Sequence, residues 1–226
     1  MATLDAVIEQ ILKTRTTVAP ERSVLVAITG IDACGKGHVT AQIERALGIR
    51  GLRTASIKVD GWLNLPEKRF APTSSGEHFY LNAIRFDEMF AELVLPLRDR
   101  RSLRLAMDYV EETAREYRRH IYEFADVDVI LLEGILLLKK AFQTYYDCSV
   151  WIDCSFDTAL KRAICRAQEG LPPEETIKAY RTVYFPAQEI HLQRDNPRSD
   201  ATMLLNNDPQ ASSDSQSRSG GLKPPY

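Results

Sequence analysis

The residues best equipped for chemistry lie together in Val24–Thr40, VLVAITGIDACGKGHVT. Within it Gly30, Ile31, Asp32, Ala33, Cys34, Gly35 and Lys36 have the spacing G-x-x-x-x-G-K, the pattern of a loop that wraps a polyphosphate. Glycines at its two ends allow the backbone to aim amide N–H groups at phosphate oxygens. A helix starting near Lys36 turns its positive end toward the same anion, and the Lys36 ammonium would bridge the β- and γ-phosphates. Such a loop holds a polyphosphate together with Mg2+. The usual pattern continues with Ser or Thr, whose hydroxyl ligates the metal. Here Gly37 and then His38 follow, and the nearest hydroxyl, Thr40, is a helical turn further on.

Three further groups can do chemistry beside such a loop. Asp60 follows the apolar run TASIKV, where a carboxylate facing a γ-phosphate could deprotonate an acceptor hydroxyl. On position alone it fits equally well as a loop aspartate capping Gly61 or Trp62. Glu133 ends VDVILLE and stands where a carboxylate can hold Mg2+ directly or through water, and Gly134 after it implies a close backbone approach. Arg162 and Arg166 lie four residues apart on one helix face, with Leu160, Ala163, Ile164 and Ala167 on another. Paired arginines near a nucleotide offset charge on a phosphoryl group in transit, although the spacing also suits a solvated basic face. Arg181, which begins RTVYFPAQ, can join them across the next loop. The segment Glu77–Asp87, EHFYLNAIRFD, concentrates aromatic and polar groups that suit a small acceptor or simply a core.

The elements that must position these groups follow from hydrophobic pattern. Strands are expected at Val24–Ile28, Thr54–Val59, Val127–Leu132, Ser149–Ile152 and Ala201–Leu205. Helices are expected at Leu4–Thr14, from Lys36 to about Leu47, at Glu77–Leu95 stopping before Pro96, at Asp108–Phe124, from Asp157, and at Glu174–Ile190 with an interruption near Pro186. Leu63–Gly76 reads as an ordered loop or flap, and His120 as an exposed residue of a charged helix. Alternation of strand and helix gives an α/β fold, three layers with a mostly parallel five-stranded sheet between helices. Ligands then bind beyond the C-terminal strand ends, where the loop, Asp60 and Glu133 all fall. The division expected is an N-terminal helix over 1–20, one domain over 21–208 and a disordered tail over 209–226.

Composition bounds the rest. The chain has 226 residues, 44% hydrophobic and 27% charged, with a net charge of −2, so no basic field favours nucleic acid. No apolar run reaches membrane-spanning length, and residues 1–16 do not read as an export signal. Cys34, Cys148, Cys154 and Cys165 show no metal spacing and fit reduced thiols in the cytosol. A cytoplasmic protein acting on a small molecule is expected, without nucleic acid or membrane partners and with a homo-oligomer left open.

Taken together, VAITGIDACGKG, IKVDGW, FYLNAIRFDEMFAELVLPL, VILLEGILLL, and YRTVYFPAQ with ATMLLNNDP resemble the uridine kinase-like branch of the P-loop kinases. That group includes uridine–cytidine kinase, phosphoribulokinase and bacterial pantothenate kinase, and the resemblance runs from about Ser23 to Asp208. It implies a P-loop fold and transfer of the γ-phosphate of ATP, with Mg2+, to a hydroxyl of a small molecule, a nucleoside first of all. Carried over by position, Lys36 and the loop from Gly30 to His38 bind ATP, Asp60 is the base, and Glu133 is the carboxylate near the metal. Arg162 and Arg166 fall in the lid over ATP, and Tyr80 and Asn82 where the family contacts its acceptor, with Arg181 assigned beside them. Two positions depart from the pattern: Gly37 lacks the metal's hydroxyl, and Glu112 stands where a histidine helps read a pyrimidine. The departures leave two other readings, a nucleotide-binding protein with impaired catalysis and a kinase for another acceptor such as nicotinamide riboside, pantothenate or a sugar phosphate.

Overall fold

A computed structural model describes residues 1–70, 75–167 and 170–209. Its strands are β1 (Val24–Gly30), β2 (Thr54–Lys58), β3 (Leu103–Tyr109), β4 (Arg118–Phe124), β5 (Val129–Gly134), β6 (Cys148–Asp153) and β7 (Met203–Asn206). Five form one parallel sheet in the order β2-β5-β1-β6-β7, while β3 and β4 make a separate antiparallel hairpin. The helices are α1 (Leu4–Thr17), α2 (Lys36–Ile49), α3 (Pro66–Arg69), α4 (Gly76–Asn82), α5 (Phe86–Met89), α6 (Leu95–Arg100), α7 (Phe156–Arg166), α8 (Pro173–Ala179), α9 (Phe185–Asp195) and α10 (Pro197–Asp200).

The central strands are continuous apolar runs because both faces of the sheet are covered, and every residue of β1 and β5 is buried. Successive side chains point to opposite faces and so feed two cores. Leu25, Ala27, Ile130 and Leu132 pack against α4, α5, α6 and the hairpin. Val24, Val26, Ile28, Val129 and Leu131 pack against α1, α2 and α7. In α1, Val7, Ile8 and Ile11 are buried, and Thr3 caps the helix by accepting the Ala6 N–H at 3.2 Å. Each fully buried aliphatic side chain contributes roughly 1.5–3 kcal/mol against exposure, before chain entropy is counted.

Three expected elements differ. The charged segment Asp108–Phe124 is not a helix. Its second half, RRHIYEF, alternates with period two, so Tyr122 and Phe124 face inward while Ile121 and Glu123 face out, and Leu105 pairs with Tyr122. His120 therefore lies on a strand, half-buried between the rings of Tyr109 and Tyr122. The helix before Pro96 does not stop there. A π turn at Phe90–Val94 carries the Leu95 N–H to the Phe90 carbonyl and makes room for the proline, which opens α6. The same device, Tyr180–Tyr184, precedes Pro186 in α9. The expected flap contains α3, while 71–74 and the tail from 210 lie outside the described residues. No helix among the described residues is long and apolar enough to cross a membrane.

Candidate active site

Parallel register levels the strand ends. Lys58 of β2, Glu133 of β5 and Ile28 of β1 stand in one row, and Gly30 is level with Ile152 of β6. Beyond this edge opens a cleft of about 370 Å³. Lys36, Gly37, His38, Asp60, Glu133, Arg162 and Arg166 all line it, so the strand-end groups and the arginine pair do meet.

The loop between β1 and α2 is held by contacts from distant parts of the chain. Gly30 cannot carry a side chain, because a Cβ there would lie 2.5 Å from the Ile152 carbonyl oxygen. Gly35 takes φ +97° as the residue preceding α2, a left-handed conformation that favours glycine. The Cys34 carbonyl accepts from Arg162 Nη1 at 3.1 Å and from Asn207 Nδ2 at 2.7 Å. Asp32 is held from the other side: its N–H donates to Gln188 Oε1 at 2.9 Å, and its carboxylate accepts from Tyr180 Oη at 2.7 Å. Arg166 pairs with Asp32 at 3.8 Å. Ile31 and Cys34 turn their side chains into the second core, which leaves only their backbone groups on the loop side.

The electrostatics are those of a charged site inside a low-dielectric wall. Lys36 donates to the Ile31 carbonyl at 2.9 Å. Burial works against its ammonium, but the facing Cys34, Asp32, Glu133 and Asp60 outweigh that and raise its pKa. Burial pushes the Glu133 carboxyl up, with Lys36 pulling the other way and Asp60 adding to the rise. Desolvation by the cleft walls likewise raises Asp60, against Lys36 and with Asp32, although its side chain is exposed at the cleft.

Glu133 Oε2 is buried with no hydrogen-bond partner among the described residues. A Cβ placed on Gly37 would lie 3.7 Å from that oxygen and 3.9 Å from Oε1. The orphaned carboxylate thus faces the place where a Ser or Thr would bring the metal's hydroxyl, and the site fits a divalent cation with most ligands from phosphates and water. No group of three or more His, Cys, Asp or Glu among the described residues could hold a metal alone. Thr40 is buried and does not line the cleft, so it does not replace the missing hydroxyl.

Other expectations need correction. Tyr80, Asn82 and Arg181 do not line the cleft. Tyr80 donates its hydroxyl to buried Asp195 at 2.7 Å, and the same Asp195 oxygen meets His191 Nδ1 at 2.7 Å. Asn82 bonds back to the His78 carbonyl at 3.0 Å, and Arg181 is exposed on the π turn. Arg162 spends its guanidinium on the carbonyls of Cys34 and Asn207, which makes it a positioning residue. The close approach at Gly134 is made by the Val59 side chain, a packing contact. The cleft is lined instead by Leu63, Arg69, Phe79, Glu112, Ile135 and Tyr184 beside the charged groups. Phe79 sits beside Tyr80 in the aromatic stretch, and Tyr184 belongs to RTVYFPAQ, so a helical face would have found both. Arg69 carries no signal of its own in a polar loop.

The family model of the phosphoribulokinase / uridine kinase family matches residues 25–182. The chain belongs to that family. It is a P-loop kinase by fold and by family. Among solved structures it is similar to a possible uridine kinase from Bacillus stearothermophilus, at 18% identity and TM-score 0.69, covering 88% of this chain and 96% of that one. A D-glycerate 3-kinase from Cryptococcus neoformans is similar at 13% identity and TM-score 0.63, covering 92% and 96%. Phosphoribulokinase from Rhodobacter spheroides follows at 13% and 0.53, covering 83% and 71%. These likenesses show the fold alone, and the three named acceptors differ. No curated protein matches the sequence.

Proposed function

We propose that the cleft transfers the γ-phosphoryl group of ATP to a hydroxyl of a small molecule. The observation that carries the reading is the convergence of Lys36, Asp60 and Glu133 on one cleft at the C-terminal edge of the sheet. Asp60 accepts the proton of the acceptor hydroxyl, whose oxygen attacks the γ-phosphorus in line. The bond to the β,γ-bridging oxygen breaks, and ADP leaves with its electron pair. Lys36, the loop amides and the start of α2 hold the phosphates, and Arg166 offsets charge on the group in transit. Arg162 acts through the loop it braces. Glu133 would hold Mg2+, which supplies charge neutralisation on the phosphates when bound.

A nucleoside acceptor, the expectation from the uridine kinase resemblance, has less support. Tyr80 and Asn82 face elsewhere, and Glu112 occupies the cleft where a base-reading histidine was expected. Gly37 favours a second reading, nucleotide binding without turnover. ADP release from Mg-ATP across a panel of hydroxyl acceptors separates the two, with Lys36→Ala and Asp60→Asn as controls. Turnover that falls at least ~10²-fold in Asp60→Asn supports transfer with Asp60 as base. Intact ATP binding with no turnover of any acceptor would favour the second reading.

A further inference from the structure

Arg69 has no part in the transfer just described, yet it is built into the cleft wall. Arginine is seldom fully buried unless paired. Arg69 is only 4% exposed, and among the described residues it forms no ion pair. Its guanidinium makes one hydrogen bond among them, from Nη2 to the Glu112 carbonyl at 2.7 Å, and Nε is buried without a partner. The side chain is not loose. Its own N–H donates to the Leu65 carbonyl at 2.9 Å, the neighbouring Lys68 carbonyl meets His78 Nε2 at 2.9 Å, and the Phe70 ring lies 5.3 Å from the guanidinium carbon. Leu63, Phe79, Ile135 and Tyr184 line the same cleft and keep the dielectric low. Burial lowers the Arg69 pKa, with Tyr184, Glu112, Tyr117 and Asp60 opposing, so the cation is under-compensated and close enough to Asp60 to feel its charge.

We infer that Arg69 receives an anionic group of the acceptor, a carboxylate or a phosphate, while Asp60 faces the acceptor's hydroxyl. The inference rests on the phosphoryl-transfer reading and adds the acceptor's chemical class. A guanidinium offers planar paired donors that match two oxygens of such an anion. A neutral ring in the same place would leave a buried charge unpaired, which is costly. Asp60 repels the anion, so it sits on the Arg69 side with the hydroxyl toward Asp60, and that fixes one orientation of the acceptor.

The test uses the full chain and matched compounds of equal carbon skeleton: glycerol, glycerate and glycerol 3-phosphate, then ribose, ribonate and ribose 5-phosphate. Each is titrated by calorimetry with and without a non-hydrolysable ATP analogue and Mg2+, and each is assayed for ADP release. The inference expects an acid or phosphate ester to bind at least ~10-fold more tightly than its neutral partner, and the two anionic arms say which group is preferred. Arg69→Gln should weaken the anionic compound about 10- to 100-fold and leave the neutral one unmoved. Arg69→Lys keeps a charge without the planar fork and should fall between. Nucleotide binding and thermal melting check that each variant is folded; if Arg69→Gln does not fold, Arg69→Lys carries the comparison. Arg69-dependent anion binding without any turnover would sustain the inference while sinking phosphoryl transfer. Turnover of neutral acceptors with no Arg69-dependent anion preference would overturn the inference and leave transfer standing. No Arg69-dependent binding by any of the anions also overturns it.

Discussion

Replacing Gly37 by serine puts the metal reading at risk most directly. A Cβ at this position meets only the Glu133 carboxylate, at 3.7 and 3.9 Å, which is ordinary van der Waals contact. The residue lies in the first turn of α2 and is not among those of positive φ, so serine adds no backbone strain. Stability should hold or rise by up to about 0.5 kcal/mol, the helix-propensity difference between glycine and serine. The new hydroxyl would stand beside Glu133 and replace a water on the cation. Freeing one ordered water contributes at most ~2 kcal/mol, a ceiling of roughly 30-fold in affinity. The assay is calorimetric titration of Mg2+ into protein saturated with a non-hydrolysable ATP analogue, with Gly37→Ala filling the same space without the oxygen. Tighter Mg2+ binding is expected in Gly37→Ser and not in Gly37→Ala. Equal behaviour of the two, or weaker binding in the serine variant, would refute the placement of the cation between residue 37 and Glu133.

Other consequences can be checked beside it. With Asp60 as the proposed base and its carboxyl held above the usual range by desolvation, kcat/KM should fall as pH drops through that raised pKa, seen in a pH–rate profile at saturating ATP. Glu133 also has a raised pKa, so its ionised form costs stability above that pKa and costs none below the unfolded value. Glu133→Gln should therefore raise the ligand-free melting temperature at neutral pH, lose that advantage in acid, and weaken Mg2+ binding. Tyr80→Phe should cost about 1–3 kcal/mol by denaturant unfolding, since it removes one donor to buried Asp195, and leave KM for the acceptor unchanged. A raised KM with unchanged stability would return Tyr80 to the acceptor site.

The sheet and the phosphate loop were legible because local pattern and tertiary role agree there. Val24–Gly30 and Val129–Gly134 are buried on both faces, so their apolar runs have one reading, and parallel order puts their ends together. The hairpin was hidden by charge: Asp108, Arg118, Arg119 and Glu123 look like a solvated helix until the period of the intervening residues is counted. Pro96 and Pro186 read as stops because a π turn leaves no mark in composition. Position relative to a motif could not separate Tyr80 from Phe79, which are adjacent in α4 but face a buried carboxylate and the cleft respectively. Arg69 was invisible because its burial is created by residues far away in the chain, Glu112 and Tyr184.

The bracing of the phosphate loop carries a consequence for the order in which the protein is made. The loop at 30–37 is synthesised before the groups that hold its Cys34 carbonyl, Arg162 and Asn207, the second of which directly follows β7. A nascent chain that stops short of Asn207 has the phosphate-binding motif in its sequence without the brace that holds it in shape. The loop's brace is thus completed by a segment 173 residues further along the chain, and the loop's full shape becomes a property of the finished sheet.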